Sequence, residues 1–222
     1  MGTLYIVATP IGNLKDITLR AIDVLNSVDI ILAEDTRVTK KLLSSYNIRK
    51  PVLRYDEKTS GAECKRIAKN LERNKKIALV TDAGTPGISD PGWRLVSVVR
   101  KEAPQVSIEP IPGVSSVITA LSVSGISAGQ FTFLGYVPHK KGRNTFFKEL
   151  NLIKVTPIVF FESPHRIKKT LNSLNETLKN REIVVARELT KLYEEVWCGA
   201  PDKATSHFTE EKERGEFVII IR

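Results

Sequence analysis

Cysteine, histidine and long apolar runs are all scarce in this sequence. The two cysteines, Cys64 and Cys198, lie far apart in a chain of 222 residues and form no CxxC pair. That excludes a thiol-clustered metal site and a disulfide framework, and it fits a reducing, cytoplasmic setting. His139, His165 and His207 stand apart from one another, and no His, Cys or Asp group has ligand spacing. No metal is expected, and a histidine-centred catalytic triad has little material to draw on. No apolar run approaches the ~20 residues a membrane-spanning helix needs. The opening MGTLYIVATP lacks the basic-then-apolar order of a secretory signal, and its sixth residue, Ile6, does not suit myristoylation at Gly2. Phosphate-cradling fingerprints are missing as well: there is neither GxGxxG after the first strand nor GxxxxGK[ST] anywhere.

The sequence does have an excess of positive charge. Net charge is +9, and it is spread along the chain. Residues 1–112 hold 18 Lys and Arg against 13 Asp and Glu, and residues 113–222 hold 16 against 12. A uniformly basic body is compatible with a polyanionic partner. Hydrophobic residues make up 41% of the chain, enough for real cores.

Apolar periodicity gives a strand–helix rhythm over the first half. Strands are expected at 4–10, 29–35, 76–82 and 106–113, with a short one in PVLRY. Helices follow over LRAIDVLNSV, RVTKKLLSSY, 61–75 and GWRLVSVVRKEA, capped by Thr18 in the first case and Thr36 in the second. Alternating apolar strands and crossover helices imply a mostly parallel sheet covered on both faces. After residue 130 the rhythm changes. FTFLGYVP, PIVFFES, EIVVARELT, YEEVWCG and GEFVIIIR read as strands with only two helices among them, near 142–152 and 165–179. Short polar connections between the last strands imply antiparallel pairing and hence a mixed sheet. The fold class is therefore α/β in two domains, 1–112 and 113–222.

Unusual residues cluster where strands end. The first strand is followed by TPIGN, the second by AEDTR, the third by DAGTPGISDPG and the fourth by PGVSS. Open α/β sheets bind ligands beyond the carboxyl ends of their strands. Glycines let a ligand approach the backbone, prolines fix loop shape in advance, and small polar side chains supply hydrogen bonds. Four such loops at one sheet edge point to a binding cleft.

LYIVATPIGNLKDITLRA, AEDTR, VTDAGTPGISDPG, IPGVSS, ALSVSG, FFESPHR, ARELTK and GEFVIII occur in this order across residues 3–221. Together they closely resemble the ribosomal RNA small-subunit methyltransferase I family, a branch of the tetrapyrrole methylases. Two departures are visible: Val114 and Ser116 stand where the family often has PGPSA, and the chain ends at Arg222 where many relatives carry a helical extension. The resemblance implies an S-adenosylmethionine-dependent enzyme that methylates the ribose 2′-hydroxyl of one cytidine in the decoding region of 16S rRNA. It also implies a homodimer of two-domain tetrapyrrole-methylase-type chains, with the cofactor between the domains. By the same resemblance Asp82, Gly84, Thr85, Pro86, Ile88, Ser89, Asp90, Ser115 and Ser116 meet the cofactor, largely through backbone groups. Pro10 lies near the transferred methyl, and Phe161, Glu188 and Leu189 close the pocket.

Methyl transfer from a sulfonium is an in-line displacement, and a weakly acidic ribose hydroxyl benefits from a proton acceptor. Rim carboxylates are Glu34, Asp35, Glu162 and Glu188. Of these, Asp35, Glu162 and Glu188 are the catalytic candidates, and the sequence singles out no one base. For Asp35 the competing reading is a helix cap paired with Arg37. Phosphate contacts are expected from His139, Lys140, Lys141 and Arg143 in VPHKKGRN, from Arg37, Lys40 and Lys41 in TRVTKK, and from Arg166. Two other functions compete: a methyltransferase of this fold acting on a tetrapyrrole or a protein side chain, and a non-catalytic RNA-binding module. The second has no use for a preformed Gly/Pro cleft.

Overall fold

The structure, a computed structural model, describes residues 2–178 and 181–222. The chain divides into two compact units, Met1–Ser115 and Ser116–Arg222.

The first unit is built on strands β1 (Thr3–Val7), β2 (Ile30–Ala33), β3 (Val52–Arg54), β4 (Lys76–Leu79) and β5 (Ser107–Ile111). They form one sheet in the order β3-β2-β4-β1-β5, parallel throughout. Side chains alternate across it as the pleat requires. Leu4, Leu32, Ile77 and Leu79 join one buried cluster with Ile67 and Leu71 of helix α3 (Gly61–Glu72) and Leu95 and Val99 of α4 (Gly92–Glu102). Val7, Ile31, Ala78 and Val80 join a second with Ala21 and Leu25 of α1 (Leu19–Ser27) and Leu43 of α2 (Thr36–Ser45). The helices after β1 and β2 thus cover one face, and those after β3 and β4 cover the other. The inner strands β1, β2 and β4 carry apolar side chains on both sides, which is why the sheet can be covered twice.

Helix starts follow capping chemistry. Thr18 Oγ1 accepts the Ala21 amide at 3.1 Å, as expected, and Ser60 Oγ accepts the Glu63 amide at 3.1 Å. For α2 the cap is Asp35, not Thr36. The Asp35 backbone is still extended, and its carboxylate accepts the Arg37 amide at 2.8 Å.

The second unit opens with α5 (Ser116–Val123). It continues through β6 (Thr132–Tyr136), α6 (Arg143–Glu149), β7 (Ile158–Glu162), α7 (Ile167–Thr177), β8 (Ile183–Arg187), β9 (Glu195–Gly199), α8 (Pro201–His207) and β10 (Phe217–Ile221). Sheet order is β6-β7-β10-β8-β9. β6 and β7 are parallel, while β10 runs antiparallel to both neighbours and β8 and β9 pair antiparallel. This is the mixed sheet the sequence implies. Ile158, Phe160, Ile183, Val185, Phe217 and Ile219 face α6, α7 and α8 in one core. Helix α8 was not expected. It is seven residues long and starts at Pro201, where a missing N–H does no harm. The expected end of α7 at residue 179 lies outside the described residues.

Candidate cofactor and substrate site

All five strands of the first unit are parallel, so the loops after β1, β2, β4 and β5 emerge on one edge. Hydrogen bonds tie these loops into one rim, and the β4 loop is the hub. Thr9 and Gly84 form a two-way backbone bridge, with N···O distances of 2.9 and 3.0 Å. Thr9 Oγ1 also donates to the Thr81 carbonyl at 3.0 Å. Asp82 accepts the Asp35 amide at 2.9 Å, which joins the β4 and β2 loops. Thr85 Oγ1 donates to the Val114 carbonyl at 3.1 Å, which joins the β4 and β5 loops. Asp90 closes the hub on itself, accepting the Gly87 amide at 2.8 Å and the Gly92 amide at 2.7 Å. Gly84 sits at φ +83°, a left-handed conformation that lets its N–H and C=O both face Thr9. Ser89 takes φ +64° at the exposed tip beside Ile88.

Among the residues expected at the cofactor, Asp82, Gly84, Thr85, Pro86, Ile88, Ser89, Asp90, Ser115 and Pro10 all belong to these loops or flank them. Pro10 and Pro86 are buried, and Ile88 and Ser89 are exposed. Ser116 is the first residue of α5 in the second unit.

Beyond β2 and β3 the loops part, because α2 follows on one face and α3 on the other. A cleft of about 610 Å³ opens there, lined by residues 34–37, Arg54 and residues 56–58. Asp35 stands at its wall as the α2 cap, with Arg37 bound to its carboxylate at 2.6 Å. The Arg37 side chain and amide hold the Asp35 carboxyl well below the usual carboxylate range. A carboxylate so held is a weak proton acceptor. Glu34, one residue earlier, has the opposite character. Burial pushes its carboxyl up, reinforced by the negative charges of Asp82, Asp90, Glu57 and Asp56. Lys40 and Lys41 are exposed on α2.

In the second unit Glu162 is 1% exposed and already fully engaged. It pairs with Arg166 at 2.8 Å and Arg143 at 3.4 Å, accepts the Thr170 hydroxyl, and accepts the Ser163 amide at 2.7 Å. No lone pair is left for a substrate proton, so the expectation of a catalytic Glu162 gives way to a structural role. Arg143 changes role for the same reason. It is 5% exposed, bonds Thr170 Oγ1 at 2.7 Å and lies 5.1 Å from the Phe147 ring centroid, so it cannot reach a phosphate. Gly142, at φ +88°, starts α6 one residue earlier and turns Arg143 inward. Arg166 is also committed, donating to the Val137 carbonyl at 2.8 Å and to Ser163 Oγ at 2.9 Å. His139, Lys140 and Lys141 remain exposed on the same loop.

Phe161 is half-buried in an aromatic trio, 5.0 Å from Phe133 and 5.2 Å from Tyr136 between centroids. Glu188 and Thr190 hold φ of +50° and +68° around the buried Leu189. Positive φ at a β-branched threonine costs about 1–3 kcal/mol and marks an over-determined turn. Glu188 lies over Gly215, where any Cβ would meet Glu188 Cγ at 2.4 Å, so only glycine fits. Burial acts to push the Glu188 carboxyl up. Hydrogen bonds from Lys191 and the Glu216 amide overcome it, leaving the group below its ordinary range.

The sequence reading missed Thr9, Thr170 and the cleft residues Arg54 to Lys58. For the last, the charged run RYDEK directly after a short strand was the available signal. Among the described residues, no group of three or more His, Cys, Asp or Glu could hold a metal, and no helix is long and apolar enough to cross a membrane.

Residues 3–202 match the family described as Tetrapyrrole (Corrin/Porphyrin) Methylases. Ribosomal RNA small subunit methyltransferase I of Thermotoga maritima is 45% identical over 221 residues, covering all of this chain and 98% of that protein. The chain belongs to the ribosomal RNA small subunit methyltransferase I family. The Bacillus subtilis member is 44% identical, and the match spans all of this chain and 75% of its own length. Membership makes the chain an S-adenosylmethionine-dependent methyltransferase. The fold agrees. A uroporphyrin-III C-methyltransferase from Thermus thermophilus, solved with S-adenosyl homocysteine, superposes with a TM-score of 0.66 at 16% identity, covering 99% of this chain and 97% of that one.

Proposed function

We propose that the chain methylates the ribose 2′-hydroxyl of a cytidine in the decoding region of 16S rRNA, acting as a cytoplasmic homodimer. The observation that carries this reading is full-length identity of 45% to a protein named for small-subunit rRNA methylation, joined to a rim of the right chemistry. The rim suits S-adenosylmethionine. That molecule bears a sulfonium and an ammonium and no phosphate. Correspondingly, the loops offer backbone groups and hydroxyls without a P-loop, and Asp82 and Asp90 concentrate negative charge at one edge. Asp82, Gly84, Thr85, Ser89 and Ser115 would hold it, with Pro10 near the reacting end. The bound cofactor supplies an electrophilic methyl group. The chain's task is to fix the ribose in line, exclude water and accept one proton. Exposed His139, Lys140, Lys141, Lys40 and Lys41 supply sequence-independent attraction to the RNA backbone.

The test uses small ribosomal subunits from cells lacking the enzyme, purified protein and isotopically labelled S-adenosylmethionine. Nuclease digestion and mass spectrometry are expected to find one 2′-O-methylcytidine in 16S rRNA. Label in a small tetrapyrrole or a protein side chain, with none in rRNA, would overturn the reading.

A further inference from the structure

The cleft beyond β2 and β3 shares only its β2 wall with the stitched loops, through the Asp35 amide bonded to Asp82, and it is built like a binding site. Its volume of about 610 Å³ suits one nucleotide. It lies at the carboxyl ends of two neighbouring strands whose helices leave to opposite faces, where open α/β sheets bind ligands. Arg37 and Arg54 flank it, with side chains 89% and 70% exposed. Each is paired with one carboxylate, Asp35 or Asp56, at 2.6 Å. The paired carboxylates are 27% and 14% exposed, so each guanidinium is anchored on its inner side and keeps N–H groups on its open side for a phosphate. Glu34, directly after β2, lines the same cleft. It makes no hydrogen bond or ion pair among the described residues, and its neighbour Asp35 is bonded through its amide to the β4 hub.

We infer that this cleft receives the target nucleotide, with Glu34 accepting the proton of its 2′-hydroxyl and Arg37 and Arg54 holding the flanking phosphates. The inference rests on the rRNA reading above. In the step, the 2′-oxygen bonds to the methyl carbon as the carbon–sulfur bond breaks, its electron pair staying on sulfur. The hydroxyl proton passes to Glu34 and then to water. The groups facing Glu34 suit that role. Asp82 and Asp90 from the β4 loop and Asp56 and Glu57 from the β3 loop all disfavour a second negative charge. The cations that line the cleft are Arg37, Arg54 and Lys58.

The experiment compares wild type, Glu34→Gln, Glu34→Asp and Arg54→Glu. S-adenosylhomocysteine affinity is measured by calorimetry, and single-turnover methylation of undermethylated small subunits is followed from pH 5.5 to 9. All four proteins are expected to bind S-adenosylhomocysteine within about twofold of one another, which establishes that they fold. Glu34→Gln lowers the single-turnover rate about 100-fold and removes the acid limb of the profile, and Glu34→Asp restores part of both. Arg54→Glu raises the half-saturating subunit concentration about tenfold with little change in limiting rate. A Glu34→Gln protein with wild-type rate and pH profile overturns the role of Glu34. Unchanged half-saturation in Arg54→Glu overturns the cleft as the RNA site. A wild-type protein inactive on subunits overturns the rRNA reading itself.

Discussion

Replacing Glu162 with glutamine separates chemistry from architecture. Among the described residues, Glu162 is the one carboxylate paired with Arg143 and Arg166, whose side chains are 6% and 18% exposed. Glutamine keeps the shape and removes the charge, leaving Arg143 buried beside neutral partners. Breaking one side of a buried pair costs about 3–5 kcal/mol. In a cooperative unit of roughly 100 residues, each kcal/mol moves Tm by about 4 °C, so the melting point should fall by ~12–20 °C. Differential scanning calorimetry reads that directly. Below its melting range, Glu162→Gln should turn over within about threefold of wild type, because Glu162 has no lone pair facing solvent. Pairing Glu162→Leu with Arg143→Met should recover much of the lost stability, since apolar replacement of a whole buried pair is often neutral. A Glu162→Gln protein that melts like wild type but loses turnover 100-fold would refute this reasoning and return the residue to the reaction.

Other predictions follow from the same geometry. Asp90→Ala removes the acceptor of the Gly87 and Gly92 amides; at about 1.5 kcal/mol per charge-assisted bond, isothermal calorimetry should show S-adenosylhomocysteine binding weakened by roughly 100-fold. The Glu188 carboxyl titrates lower in the folded chain than in the unfolded one, so the unfolded state binds its proton first as pH falls. Its contribution is full above the unfolded value of about 4.5 and is lost as pH drops below that, so urea midpoints of Glu188→Gln should depend less on pH between 3 and 5 than those of wild type. Charge reversal at Lys140 and Lys141 should weaken subunit binding and lower the salt slope of log affinity by about 1 per lysine, read by filter binding across potassium chloride concentrations.

Much of the architecture was legible because it depends on local pattern. In β1, Leu4 and Val7 go to opposite cores as strict alternation requires. The run GEFVIII announces a strand buried on both sides, and β10 is the central strand of its sheet. Helix α8 was hidden because seven residues with five polar or charged side chains carry too little apolar periodicity to register. Roles within the site were harder. Asp35 and Thr36 are both good caps, and only the backbone angle at Asp35 decides between them. Arg143 reads as one more cation in HKKGRN. Its fate is set by Glu162, 19 residues away, once β7 and α6 are packed together. Gly84, Thr85 and Asp90 were expected at the cofactor from the resemblance; in the structure Gly84 and Thr85 bond to neighbouring loops and Asp90 to its own. The rim is shaped before any ligand arrives, which lowers the ordering cost of binding.

Hydrogen–deuterium exchange with and without S-adenosylhomocysteine tests most directly whether this stitched rim is the cofactor site. Protection is expected in peptides covering residues 8–13, 82–92 and 112–116, with 82–92 protected most. Protection confined to other segments, with these three exchanging as in the free protein, would contradict the account.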